Sequence, residues 1–267
     1  KTEHLVHNYT ITTSTMDTNT IHVLKDIDFE VEKGEFVSIM GRSGCGKSTF
    51  LKLLGMIERP TSGTIYFDGM DTEDLWKDEL ADIRRRRIGF VFQDFYLLDS
   101  LCIKDNILLP MILDKAESKT MTEKVEELAG LFGIRELLPK APYELSGGEK
   151  QRAAICRALI NDPEIILADE PTGNLDSRSG QIVMDALKRI NREFHKTILM
   201  VTHDPYFASL SQKVVLLKDG RFWTRSKVPT MKKASMRKSF NTRQKSKAGG
   251  IHHETTKNIR TVFSISV

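Results

Sequence analysis

The sequence contains no apolar run approaching the ~20 residues needed to span a bilayer. Its opening stretch, Lys1–Thr20, is polar and Thr-rich and lacks a secretory leader pattern. There are only three cysteines, Cys45, Cys102 and Cys156, scattered and odd in number. They offer neither zinc-ligand spacing nor a disulfide framework, which suits a reducing compartment. No internal repeat is present. These absences argue against a secreted, disulfide-stapled or bilayer-spanning chain. They lead to the expectation of an intracellular protein that meets any membrane through a partner. What is present is ordinary for a folded chain: 267 residues, 40% hydrophobic and 28% charged. That is enough for one large domain or two small ones with a substantial core, and it excludes a mostly disordered chain.

The net charge of +4 is unevenly spread. From Ser226 to Val267 there are ten Lys or Arg against one acid, Glu254, so this segment carries about +9 and the rest about −5. The segment has little hydrophobic periodicity and is expected to be a flexible basic tail, with contact to anionic lipid or a partner as the alternative. Its His252-His253 pair supplies too few ligands for a metal site. A second basic run, Arg84–Arg87, reads on its own as a solvated face. Basic residues gathered on a structured face would be needed for nucleic-acid binding, so no nucleic-acid partner is expected.

Short apolar runs end at Gly, Asp, Thr or Lys: Phe36–Met40, Ile165–Ala168, Thr197–Val201 and Val214–Leu217. Continuous runs of this kind suit strands covered on both faces of a parallel sheet. Ser177–Phe194 carries a helical apolar stripe with Asp176 or Ser177 as N-cap, and Thr122–Phe132 reads as a helix stopped by Gly133. Ile27–Val31 and Thr64–Phe67, each followed by a turn signal, read as antiparallel strands. The expected fold is α/β, with a mainly parallel core sheet, an antiparallel β subdomain and an inserted helical subdomain at about residues 94–150. The whole would span residues 1–225.

Gly41-Arg42-Ser43-Gly44-Cys45-Gly46-Lys47-Ser48 matches G-x-x-x-x-G-K-[ST] between a strand and a helix that begins near Thr49. This is a P-loop. Its glycines let backbone N–H groups face phosphate oxygens, and the helix N-terminus adds partial positive charge. Gly41, Ser43, Gly44, Cys45, Gly46, Lys47, Ser48 and Thr49 form the candidate cradle. Lys47 reaches the β- and γ-phosphates and Ser48 ligates Mg²⁺. Ile165–Glu170 is an apolar strand ending in two acids. Asp169 is a candidate Mg²⁺ ligand and Glu170 a candidate base for the attacking water.

Leu145–Arg152, LSGGEKQR, ends its Gln151 19 residues before Glu170 and opens a second helix. Ser146, Gly147 and Gly148 there make a second anion site. One nucleotide does not need two cradles from the same chain, so this one is expected to serve the ATP of another subunit. On these residues the chain resembles the nucleotide-binding subunit of an ATP-binding cassette (ABC) transporter, over roughly Leu5 to Arg221. The resemblance implies a homodimer of ATPase subunits with two ATP molecules sandwiched between them. It also implies a transmembrane permease partner and a peripheral position on the cytoplasmic face of the cell membrane. Gln93 resembles the glutamine that touches Mg²⁺ and senses the permease. Gly173–Asp176 resembles the loop that crosses the dimer interface, and His203 the switch histidine at the γ-phosphate. Tyr9 is the candidate for stacking adenine. It lies 38 residues before Lys47, with a Thr-rich insertion between them. Cys45 stands where a small residue is needed, and the bulkier Arg42 should point outwards.

GEFVSIMG, PTSGTIYFDG, IRRRRIGFVFQDFYLL and ILADEPTGNLDS resemble the branch of macrolide-export, lipoprotein-release, cell-division and antimicrobial-peptide-resistance ATPases. In that branch the Arg84–Arg87 run is a family feature on the approach to Gln93. GEKQR and THDPY look most like the bacitracin- and lantibiotic-resistance subunits. Those work with a permease of about ten membrane-spanning helices and often signal to a histidine kinase. A soluble ABC ATPase of DNA repair or translation is the alternative from another class. It would need a long insertion between the ATP motifs or a second cassette, and Lys47 and Asp169 are only 122 residues apart.

Overall fold

Two sheets and a helical layer make up the protein in the computed structural model, which describes residues 1–12 and 18–227. The chain begins with a long hairpin, β1 (Thr2–Thr12) and β2 (Thr18–Phe29), followed by β3 (Phe36–Met40) and α1 (Lys47–Leu54). Then come β4 (Ser62–Phe67), β5 (Met70–Asp71), α2 (Lys77–Arg86) and β6 (Ile88–Val91). The inserted helices are α3 (Ile103–Leu113) and α4 (Ser118–Leu131), and α5 (Gly147–Leu159) leads back to the core. The remaining elements are β7 (Ile165–Asp169), α6 (Ser177–Phe194), β8 (Thr197–Thr202), α7 (Pro205–Ala208), β9 (Lys213–Lys218) and β10 (Arg221–Lys227). The basic segment beyond Lys227, with Gly249–Glu254 and its histidine pair, lies outside the described residues.

The core sheet runs β10-β9-β3-β8-β7-β6, parallel except for the antiparallel β9/β10 pair. The smaller sheet, β2-β1-β4-β5, is antiparallel. All six residues of β8 are buried, as expected for a strand covered on both faces. Register then places the chemistry. Met40 pairs with Thr202, and Asp169 with Val201, so the residues that follow β3, β7 and β8 leave the sheet side by side. Ligands of open α/β sheets gather at this carboxyl edge.

Each helix has a local cause. α6 buries Val183, Met184, Leu187 and Ile190 completely, each worth roughly 1.5–3 kcal/mol relative to exposure. Asp176 caps it by accepting from the N–H groups of Arg178 (2.9 Å) and Ser179 (3.1 Å). One core cluster joins the inserted helices, α5 and α6 to the sheet. The other fills the space around α1, where Phe29, Phe50 and Phe222 meet with centroids 5.2–5.4 Å apart. Gly63 is required where β4 crosses β1: its φ is +82°, and a Cβ there would lie 2.2 Å from the His4 carbonyl oxygen. Among the described residues no helix is long and apolar enough to cross a membrane.

The Arg84–Arg87 run is not the bare solvated face that its charge suggests. Arg84 donates to the Met56 carbonyl (2.8 Å). Arg85 and Arg86 both pair with Asp114 at the end of α3. Arg87 pairs with Glu164 and Asp68 and lies over the Phe67 ring. The run ties α2 to four places: the turn after α1, the end of α3, the end of β4 and the start of β7. Three last-turn positions of α2 and its C-cap residue point around most of a turn, so the run reaches partners on several sides. The helix expected at Thr122 begins earlier, at Ser118, and the strand expected at Ile27 is the end of the longer β2. Thr-rich segments accept strand geometry because β-branched side chains suit it.

Candidate functional site

At the end of β3 the chain curls through Gly41–Gly46 into α1. Gly46 is left-handed (φ 102°), and no side chain caps the helix. The first-turn N–H groups of α1 are therefore left for an outside acceptor. Arg42 is exposed, as expected. Lys47 is buried; its ammonium donates to the carbonyls of Gly41 (3.0 Å) and Arg42 (3.1 Å).

Four more expected residues converge on Lys47. The Ser48 hydroxyl donates to Asp169 Oδ1 at 2.9 Å. Burial pushes the Asp169 carboxyl above its ordinary value, and the Ser48 hydroxyl only partly offsets this. Glu170 sits just past β7 in a left-handed conformation (φ 46°), a backbone strain typical of functional positions. That turn brings Glu170 Oε2 to 2.9 Å from His203 Nδ1, and Oε1 to 3.8 Å from Lys47 Nζ. Ser48 and Asp169 offer adjacent hard oxygens, a donor set that fits Mg²⁺. Gln93 donates its Nε2 to Asn174 Oδ1 (2.9 Å), and no hydrogen bond joins it to Ser48, Asp169, Glu170 or His203 among the described residues.

Among the described residues the second cradle shares no direct bond with the first: no hydrogen bond or ion pair joins Ser146, Gly147 or Gly148 to Lys47, Ser48, Asp169, Glu170 or His203. Ser146 is exposed at the start of α5, and Glu149 closes a capping box there. The carboxylate accepts from the Ser146 N–H (2.8 Å) and hydroxyl (2.6 Å). These bonds hold the Glu149 carboxyl below its ordinary value. Gly148 is buried against Ser179 of α6, where a Cβ would be only 3.0 Å from the serine side chain.

Residues 24–173 match the sequence family described as "ABC transporter". The chain belongs to this family. It is 50% identical over 211 residues to an uncharacterized ABC transporter ATP-binding protein, YvcR of Bacillus subtilis, covering 79% of this chain and 82% of that one. It is 48% identical over 206 residues to the bacitracin export ATP-binding protein BceA of Halalkalibacterium halodurans, covering 77% and 81%. Among solved structures it is similar to the ATP-binding cassette MJ0796, in a dimeric post-hydrolysis state bound to ADP and Pi. That match has a TM-score of 0.78 and 39% identity, covering 86% of this chain and 99% of that one. The chain is accordingly an ATP-hydrolysing subunit of an ABC transporter, with the P-loop α/β fold of that family.

Several residues of this ABC subunit make contacts that its motifs did not reveal. Asn174 bridges two loops: besides accepting from Gln93 Nε2, it donates to the Gln93 carbonyl (3.3 Å) and to Asp94 (3.0 Å). Arg157, on α5, donates to the carbonyls of Phe95 and Tyr96, two non-glycine residues with positive φ. Glu149 was legible in principle, because Ser146-x-x-Glu149 has capping-box spacing. Asn174 lies in the Gly173–Asp176 loop, but its contacts and those of Arg157 reach 61 to 81 positions away in sequence and no local pattern marks them. Tyr9 stands on β1 as expected, and its hydroxyl donates to Glu58 Oε2 at 2.6 Å.

Proposed function

We propose that two copies of this ABC subunit pair head to tail on the cytoplasmic face of the membrane, each offering its Ser146–Gly148 cradle to the partner's ATP. In this reading the pair drives a permease that exports bacitracin- or lantibiotic-type peptides or frees their targets, with a histidine kinase as an associated sensor. The observation that carries the pairing is a second anion cradle with no bond to the first. The peptide reading rests on the signature and switch segments together with the likeness to BceA.

The chain's own groups then have distinct tasks. Lys47 exchanges the Gly41 and Arg42 carbonyls for β- and γ-phosphate oxygens. Tyr9 stacks adenine. Ser48, Asp169 and Gln93 would hold Mg²⁺, which would supply charge neutralisation for the phosphates. Glu170 takes the proton of a water whose oxygen bonds to the γ-phosphorus as the bond to ADP breaks. His203 steadies Glu170 and meets the γ-phosphate. Losing that phosphate removes the contacts that bridge the two chains, so the sandwich opens.

Affinity capture of the subunit from its native membranes, read by mass spectrometry, tests the partner. Recovery of a permease with about ten membrane-spanning segments is expected. A permease of about four such segments would instead indicate lipoprotein release, macrolide-type export or a cell-division role. Ribosomes or DNA factors without any membrane protein would overturn the transporter assignment of this chain and leave the ATPase chemistry standing.

A further inference from the structure

The outer part of the β1/β2 hairpin has little support from the body. Among the described residues, pairing of β1 with β4 ends at Val6–Ser62, and from Tyr9 outward β1 pairs with β2 alone. Tyr9 is 37% exposed, yet its ring is held at two places. The buried His7 ring meets it edge-on, with centroids 4.7 Å apart. Its hydroxyl donates to Glu58 Oε2 at 2.6 Å and also lies within reach of the Thr49 hydroxyl. The other oxygen of Glu58 accepts from Lys52 Nζ at 3.2 Å. Lys52 and Thr49 both belong to α1, the helix whose N-terminus forms the phosphate cradle. Burial disfavours the Glu58 carboxylate, but the bonds from Tyr9 and Lys52 outweigh it and keep it ionised. Both carboxylate oxygens are engaged, one by Tyr9 and the other by Lys52, and the imidazole of His7 lies 3.5 Å from the first.

We propose that Glu58, neutralised by Lys52, is a positioning residue that locks Tyr9 to α1 and so fixes the distance between base platform and phosphate cradle. The consequence is selectivity for nucleotides carrying a stackable base over bare polyphosphate. This inference rests on Tyr9 being the adenine platform. An aromatic ring free to swing on a projecting hairpin must be ordered at each binding event, which weakens binding. A ring already pinned to the cradle helix avoids that loss. Direct phosphate contacts by Lys47 and Ser48 should be spared, because neither residue bonds to Glu58.

The test compares equilibrium binding of MgATP and of magnesium tripolyphosphate to the full chain carrying Glu58→Leu, Tyr9→Phe, both together, or Tyr9→Leu. Glu58→Leu should weaken ATP about five-fold, the size of one lost hydrogen bond, and leave tripolyphosphate unchanged. Tyr9→Phe should do the same, and the double variant should be no worse than either single one. Glu58→Gln keeps the volume and an acceptor, so it should restore most of the affinity and serve if the leucine variant misfolds. In the assembled transporter, KM for ATP should rise while kcat holds. Equal weakening of ATP and tripolyphosphate, or additive losses in the double variant, would overturn the positioning role. If Tyr9→Leu leaves ATP affinity intact, the platform reading itself falls. If Tyr9→Leu weakens ATP while Glu58→Leu and Tyr9→Phe do not, only the positioning role falls.

Discussion

The helices α1 and α5 both start at glycines and both turn their N-termini towards an anion site, but they are finished in opposite ways. α1 begins at a left-handed Gly46 with no side-chain cap and no acid in its first turn, and Lys47 stands buried beside it. α5 begins at Ser146, which is tied to Glu149 through two hydrogen bonds. The carboxyl groups beside the two helices differ in the same sense. Burial raises the pKa of Asp169 near α1, whereas hydrogen bonds from Ser146 lower that of Glu149 on α5. The first cradle therefore holds an acid that gains from an added cation. The second already carries an acid bonded to the Ser146 N–H and hydroxyl at its helix start. In the proposed reading the first site binds ATP unaided and the second joins once ATP is in place.

The sharpest break in this comparison is expected from Lys47→Ala and Ser146→Arg. Lys47→Ala should weaken ATP binding by the isolated chain about 100-fold, as expected for losing a buried charge-assisted phosphate contact. Ser146→Arg should leave that affinity within about two-fold while reducing hydrolysis roughly 100-fold, since the donor it removes acts on the partner's γ-phosphate. Nucleotide titration and phosphate-release assays on the same preparations separate the two outcomes.

Next in size is Asp169→Asn. With metal and nucleotide withheld, it should raise the thermal midpoint, because a buried carboxylate with a raised pKa destabilises the fold once it is ionised. The same variant should lose Mg²⁺-dependent turnover. A midpoint that falls would show Asp169 to be well paired without a cation.

Glu149→Gln should have the smallest effect. The capping geometry survives but the charge beside the incoming γ-phosphate is gone, so ATP-driven pairing should tighten by about five-fold at low salt and less at high salt. The pH response has a definite sign. A carboxyl with a lowered folded pKa contributes stability above its unfolded value and loses it as pH falls through the folded value. The Glu149 contribution should thus fade below the ordinary glutamate value of 4.5, and the Gln variant should lack that part of the acid loss.

The sequence exposed the first cradle more fully than the second. Strand, glycines, Lys47 and Ser48 are contiguous, and Asp169, Glu170 and His203 each end an apolar run, so a parallel register brings them together. The β3 strand and the α6 helix were legible to the residue, because continuous burial and a capped stripe leave little choice of boundary. The hairpin arm was harder to see. A Thr-rich polar stretch has no alternation to mark a buried face, and pairing with a neighbouring strand decides its conformation. The roles of Asn174, Arg157, Asp114 and Glu58 depend on partners far away in sequence. The arginine run misled because four like charges in a row look alike, whereas in the fold they are spread over the Met56 carbonyl, Asp114, Glu164 and Asp68.

The central claim is that the Ser146 cradle serves a second chain's ATP. The most direct measurement is the solution mass, by light scattering with and without ATP, of Glu170→Gln alone and of Glu170→Gln combined with Ser146→Arg. The first should bind ATP without hydrolysing it and double its mass when ATP is added, with ADP having no effect. The second should bind ATP equally well and stay a monomer. A Ser146→Arg chain that pairs on ATP as readily as its parent would contradict the account.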